Sequence, residues 1–235
     1  MNVFITGTSS GIGYGLAQEF VQRGHSVWGV SRRDSAVNSK DGMYYHTNCD
    51  LTDYNRVTSE ISEFVKPVHH FDLVILNAGV LGDIKLMSEV GVDEMKRAME
   101  INVWANKVLL DILLSHVSSI AQVIGISTKS SIRSTPGWGT YSVSKAALNM
   151  LMNVYAKEYP DTHFNAFAPG LVDSEIQETI WNIADVEKYP AVQNLQEARY
   201  TDTMPDPANA APMLIDGMKK ALSYESGTFV DVRDM

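Results

Sequence analysis

A tyrosine, a lysine four residues beyond it and a crowd of hydroxyls share one stretch of the chain, ISTKSSIRSTPGWGTYSVSKAAL, from Ile126 to Leu148. Six serines and three threonines fall within it, with Thr128 near its start and Tyr141 and Lys145 toward its end. Residues four apart on a helix share a face, so the Tyr141 phenol and the Lys145 ammonium can point together. A free phenol, with a pKa near ~10, exchanges protons poorly at neutral pH. A neighbouring positive charge stabilises phenolate, and each unit of lowering is worth about 1.4 kcal/mol. The pair therefore has the makings of a general acid or base.

A second constellation opens the chain. TGTSSGIG, Thr6 to Gly13, stands between the apolar run NVFIT and the amphipathic pattern GYGLAQEFVQRG. Gly7 permits a tight turn, Gly11 lets backbone approach a phosphate, and Gly13 lets helix and strand pack closely. Ser9, Ser10 and Ile12 complete a turn whose helix N-terminus offers unpaired N–H groups to an anion. The spacing is G-x-x-x-G-x-G, which differs from the familiar G-x-G-x-x-G of dinucleotide-binding turns.

Such residues need a frame. β-rich runs at 2–6, 26–31, 43–48, 72–77, 121–127, 162–168 and 227–232 read as seven strands. Stretches with apolar residues at three- and four-residue spacing separate most of them, which implies a parallel sheet with helices on both faces. No repeat, low-complexity tract or linker divides the 235 residues, so a single domain is expected. The segment 171–207 lacks a clear strand and reads as a lid over a pocket.

Composition narrows the class. A net charge of −9 argues against a general nucleic-acid binder, which would carry a basic face. Cys49 is the sole cysteine, so no intrachain disulfide can form and a reducing compartment is expected. No charged leader with a long apolar stretch precedes the first strand, and VWANKVLLDILLSHV is broken by Asn106, Lys107 and Asp111. A cytoplasmic protein with no membrane span is the expectation, and no metal ligands are assigned.

The glycine turn and Tyr141-x-x-x-Lys145 together resemble the short-chain dehydrogenase/reductase family, and the resemblance runs along nearly the whole chain. It implies a Rossmann-type doubly wound sheet and a nicotinamide cofactor. Asp50 and Leu51, in CDLTD, match the family's adenine contact, and LNAG places Asn77, Ala78 and Gly79 under the cofactor. Asn102, in EINVWA, matches the helix asparagine that supports a proton-relay water. In APGLVDS, Pro169, Gly170, Val172 and Ser174 match the loop that closes over the nicotinamide, with Ser174 where threonine is commoner. Tyr141 would give a proton to a carbonyl oxygen as hydride reaches its carbon, and Lys145 would also hold the nicotinamide ribose.

Thirteen residues before Tyr141, where the family usually has its catalytic serine, stands Thr128. Its hydroxyl can still bond a substrate carbonyl. Ser127 should face the other way along the strand, while Ser130 and Ser131 are substitutes if the strand ends early. Ser31 occupies the place of the acid that binds the adenosine ribose in NAD-dependent relatives, and Arg32 and Arg33 follow it. A neutral residue and paired guanidinium donors suit a 2′-phosphate, so NADP(H) is the expected cofactor.

GWGTYSVSKAALNML, APGLVDSEIQ and SGTFVDVRD look like sepiapterin reductases and the microbial reductases of vicinal diketones such as benzil. That likeness implies a substrate site with Thr128, Tyr141, Gly170 and Asp231, the last anchoring a pterin's guanidine-like edge or else serving the strand end. Three functions stay open: a carbonyl reductase of diketones or pterins, a related enzyme for another alcohol or ketone such as an acyl thioester, sugar or steroid, and a dinucleotide sensor without turnover. The intact Tyr141/Lys145 pair favours catalysis. A small-molecule carbonyl substrate and a homodimer or homotetramer are the expected partners.

Overall fold

Apolar residues alternate between the two faces of each strand, and helices cover both. The computed structural model describes residues 1–39, 42–182 and 187–235. β1 (Asn2–Thr6) leads through α1 (Gly11–Gln22) to β2 (Ser26–Ser31) and β3 (Tyr44–Asn48). Then come α2 (Tyr54–Val65), β4 (His70–Leu76), α3 (Val92–Met99) and α4 (Ala105–His116). β5 (Ser119–Ile126), α5 (Gly139–Glu158) and β6 (His163–Ala168) follow. The chain closes with α6 (Glu175–Trp181), α7 (Pro190–Ala198), α8 (Pro207–Ala221) and β7 (Phe229–Asp231). All seven expected strands are present, to within two residues at each end.

The strands lie in the order β3-β2-β1-β4-β5-β6-β7, every pairing parallel. This is the expected doubly wound sheet. Phe4, Val74 and Val123 pack against α2, α4 and α5, while Val3, Ile5, Leu73 and Ile124 pack against α1 and α8. Each fully buried Leu, Ile, Val or Phe contributes about 1.5–3 kcal/mol, so both faces hold the strand ends firmly. The chain winds outward from β1 to β3, then returns to add β4 on the other edge of β1. That reversal opens a crevice at the C-terminal ends of β1 and β4, where ligands bind in such sheets.

Cys49, just past β3, is 1% exposed within the α2–α4–α5 core. Burial pushes its thiol up to about 12. A third apolar cluster sits above the sheet, where Ile180, Tyr189 and Val192 pack on Leu81 and Trp138. It ties α6 and α7, both inside the segment 171–207, to the body; residues 183–186 of that segment lie outside the described residues. Among the described residues, no helix is long and apolar enough to cross a membrane.

Candidate active site

Thr6 staples the two strands that flank the crevice. Its Oγ1 accepts the N–H groups of Asn77 and Ala78, both at 2.9 Å, and Asn77 Nδ2 donates back to the Thr6 carbonyl at 2.9 Å. Asn77, Ala78 and Gly79 are thereby set beside the glycine turn. Gly7 adopts φ +77°, a region that glycine enters without a Cβ clash. A Cβ on Gly13 would stand 2.3 Å from the Gly7 carbonyl oxygen, so only glycine lets α1 sit this close to β1. Ser10 places no side-chain cap on α1, and its first N–H groups stay free for an anion. A cradle that a methyl group would fill, next to uncapped N–H donors, fits a dinucleotide's phosphates.

The adenosine end is built by β2 and β3. Ser31 is 5% exposed; its hydroxyl donates to the Arg33 carbonyl at 2.8 Å and so accepts from His46 Nε2, 2.8 Å away. Ser31 thus shapes the turn that presents Arg32 and Arg33. Arg33 Nη2 donates to Glu175 at 2.9 and 3.2 Å and to Ser10 Oγ at 3.3 Å. Arg32 is exposed and makes no ion pair among the described residues. Asp34 turns aside to accept from Asn48 Nδ2 at 2.6 Å. The Thr52 N–H and hydroxyl both donate to Asp50 and hold its carboxyl below the usual range.

At the other end, α5 begins at Gly139 and carries Tyr141 and Lys145 one turn apart. Lys145 is 2% exposed, donates to the Ile126 carbonyl at 2.7 Å, and lies 5.8 Å from the centre of the Tyr141 ring. Burial pushes the ammonium down to about 8 and the phenol up to about 12. The lowering of the phenol expected from a neighbouring lysine is not found: burial shifts it, and upward.

Thr128 caps a 3₁₀ turn, Lys129–Ser131, with its Oγ1 3.2 Å from Ser130 Oγ. Ser127 also borders the cleft, against the expectation that it faces away; it is buried with its hydroxyl on Asn149 Oδ1 at 2.5 Å. Ser131 donates to the Thr128 carbonyl and accepts from Asn149. β5 ends at Ile126, and Thr128 and Ser130 both reach the cleft.

These residues line one cleft of about 800 Å³ that runs from Arg32 to Trp138. Of the residues expected at the site, all but three border it: Gly13, Asn102 and Asp231 stand behind. Asn102 is fully buried in a widened turn, Glu100–Trp104, between α3 and α4. It accepts the Val80 N–H at 2.8 Å and donates to the Val80 carbonyl and Ser144 Oγ, both at 2.9 Å, so it braces Val80, which does border the cleft. Asp231 is 4% exposed and takes three donors from Arg233. Of two tryptophans that could wall an aromatic pocket, Trp138 borders the cleft, whereas Trp181 packs outside against Tyr200.

The family model for short chain dehydrogenase matches residues 1–184. The chain belongs to that family. As a short-chain dehydrogenase it is an oxidoreductase of a family that uses NAD(P) cofactors. It is similar to benzil reductase ((S)-benzoin forming) of Bacillus cereus, 29% identical over 195 residues, covering 76% of this chain and 78% of that one. The benzil reductase IRC24 of Saccharomyces cerevisiae is 26% identical over 253 residues, covering 98% and 96%. Among solved structures, the KRED1-Pglu enzyme superposes with a TM-score of 0.85 at 23% identity, covering 97% of this chain and 99% of that one. The likeness to benzil reductases agrees with the one drawn from the sequence; the structural likeness speaks to fold.

Several residues at or behind the cleft carry no mark of their role in the sequence. Thr6 is a strand-end hydroxyl whose partners lie about 70 positions away, and Glu175 meets Arg33 across 142 positions. Lys129, Arg133 and Arg233 border the carbonyl end, and their types alone would read as surface.

Proposed function

We propose that this short-chain dehydrogenase is an NADPH-dependent carbonyl reductase acting on a ketone or vicinal diketone, with Tyr141 as general acid. The observation that carries this reading is the convergence of the Tyr141 phenol, the buried Lys145 ammonium and the Thr128 hydroxyl on one cleft that continues into the glycine turn. Gly7, Gly11, Ile12 and the α1 N–H groups would hold the pyrophosphate, Asp50 the adenine, and Arg32 the 2′-phosphate. When bound, NADPH supplies the hydride and leaves a positively charged nicotinamide. Tyr141 passes its proton to the carbonyl oxygen as the carbon is reduced, and Thr128 donates a hydrogen bond to the same oxygen. Lys145, one turn away, then stabilises the phenolate until it is reprotonated.

α6 and α7 act in this reading as a lid that excludes water. Their residues Ile176, Ile180 and Leu195 border the cleft, and Arg199 anchors the lid's base to Asp173 at 2.9 Å. Pairing of two copies through α5 is supported by exposed Val143, Met150 and Val154 on its outer face. A single, buried cysteine suits a reducing cytoplasm.

The test is a panel of benzil, sepiapterin and a 3-oxoacyl thioester, followed by the loss of reduced-nicotinamide absorbance. Benzil or sepiapterin should turn over best, and Tyr141→Phe should abolish reduction while retaining NADPH binding. Substantial residual kcat in that variant would remove Tyr141 from the acid role.

A further inference from the structure

Three cations border the end of the cleft where the carbonyl would lie: Lys129, Arg133 and Arg233. Lys129 directly follows Thr128, and Arg133 closes the same turn, its N–H donating to the Lys129 carbonyl at 3.1 Å. Arg233 comes from the far end of the chain and lies along Gly170, where an added Cβ would stand 3.4 Å from Arg233 Cδ. Thr128 and Gly170 are both at the substrate end, so the three charges gather there.

Two of the three are compensated from behind. Asp231 accepts from Arg233 N, Nε and Nη2 at 3.0, 2.9 and 2.7 Å and lies 3.7 Å from Lys129. Asp234 accepts from Lys129 at 2.7 Å. Neither aspartate borders the cleft. A guanidinium has five N–H donors, so Arg233 keeps Nη1 free after bonding Asp231 through Nε and Nη2. Arg133 is exposed, forms no ion pair among the described residues, and keeps its whole fork.

Acids do border the cleft elsewhere: Asp50 is engaged by Thr52 and Glu175 by Arg33 at the adenosine end, and Glu100 stands at the start of the turn before α4, where its charge acts on Tyr54 of α2. Thus a protein of net charge −9 keeps an uncompensated positive charge beside its reacting group. The arrangement also bears on Asp231. A carboxylate closed off by its own arginine is not offered to a guanidine-like substrate edge; what faces the cleft is the arginine.

We propose that the preferred substrate is an anionic carbonyl compound, with a carboxylate close to the reacting ketone, gripped by Arg133 and the free edge of Arg233. This rests on the carbonyl-reductase reading and narrows its substrate class. Paired guanidinium donors match carboxylate geometry, and a charge-assisted contact at a partly exposed mouth is consistent with about a tenfold effect on binding.

The experiment compares benzoylformate with its methyl ester, which lacks the charge; the ester's ketone is intrinsically the more electrophilic, so a preference for the acid has to come from its charge. With NADPH at low ionic strength, kcat/KM should favour the acid by about tenfold, and the preference should shrink in 0.5 M salt. Arg133→Gln should lower the acid-to-ester ratio about tenfold through KM, and Arg133→Lys should restore part of it, with unchanged melting temperatures showing that the fold is intact. Preference for the ester, with a ratio that Arg133→Gln leaves alone, overturns the inference while leaving carbonyl reduction standing. Reduction of neither compound counts instead against carbonyl reduction, and the anion site is then read by calorimetric titration of mandelate into the protein with NADP⁺. Mandelate binding that weakens in Arg133→Gln upholds the site, and absence of binding to the wild type overturns it.

Discussion

Replacing Lys145 by methionine keeps a long apolar stem and deletes the charge, which makes the energetic cost of the buried ammonium measurable. The side chain is 2% exposed, and burial lowers its pKa from 10.5 to about 8. The folded value lies below the unfolded one, so between these limits the unfolded chain binds more protons and stability rises with pH. Below pH 8 both states carry the charge, and the folded state bears the whole cost, on the order of 3 kcal/mol. Integrating the linkage, this lysine should raise the unfolding free energy by about 2 kcal/mol between pH 7 and pH 9.5. Tyr141, held up at about 12 by burial, begins to oppose the trend only as the unfolded phenol ionises near ~10. Urea titrations followed by tryptophan fluorescence at pH 7, 8, 9 and 9.5 would compare wild type with Lys145→Met. The wild-type curve should gain on the variant by that amount, with other titrating groups common to both. Parallel profiles would show that the ammonium is better solvated than its burial implies, and the reasoning would fail.

Thr128→Ala should lower kcat roughly 10²-fold, the usual loss for one donor to a developing oxyanion, whereas Thr128→Ser should be nearly neutral; a crippled Ser130→Ala beside an unaffected Thr128→Ala would transfer the role to Ser130. Arg32→Ala should reduce the NADPH-to-NADH ratio of kcat/KM about tenfold, since one exposed charge-assisted contact to a 2′-phosphate is worth roughly 1.5 kcal/mol, and an unchanged ratio would take Arg32 out of cofactor choice. Gly13→Ala should lose cofactor binding and cost about 1–3 kcal/mol of stability, because the new methyl meets the Gly7 carbonyl at 2.3 Å; calorimetric melting and NADPH titration check both.

The strands were legible because each is a short β-rich run whose apolar side chains serve one of two covered faces, as Val3, Phe4 and Ile5 do. Tyr141 and Lys145 were legible because helical periodicity alone puts them together. Alternation along the strand end separated Thr128 from Ser127 less cleanly: Ser127 also borders the cleft, with its hydroxyl held on Asn149. The upward shift of Tyr141 was not legible, since a neighbouring charge can be read from spacing but burial depends on Leu81, Trp138 and the lid's Ile180, Tyr189 and Val192 packing together with it. The partner of Asp231 lies only two residues on, yet nothing in VDVRD says that the chain turns back there to close the carboxylate. Glu175 on Arg33 is a contact between a lid helix and the turn after β2, and only the folded crevice brings them together.

The seclusion of Cys49 gives the protein an internal gauge of its own breathing. Thiolate is the form that attacks alkylating reagents, and a thiol at about 12 holds a thiolate fraction on the order of 10³ times smaller at pH 8 than the same group in an unfolded chain. Labelling must therefore await a transient opening of the corner where β3 hands over to α2, next to the adenosine end of the cleft. With no second cysteine to share the signal, the rate of adduct formation reports how often that corner parts, and a nucleotide seated against it should slow the clock.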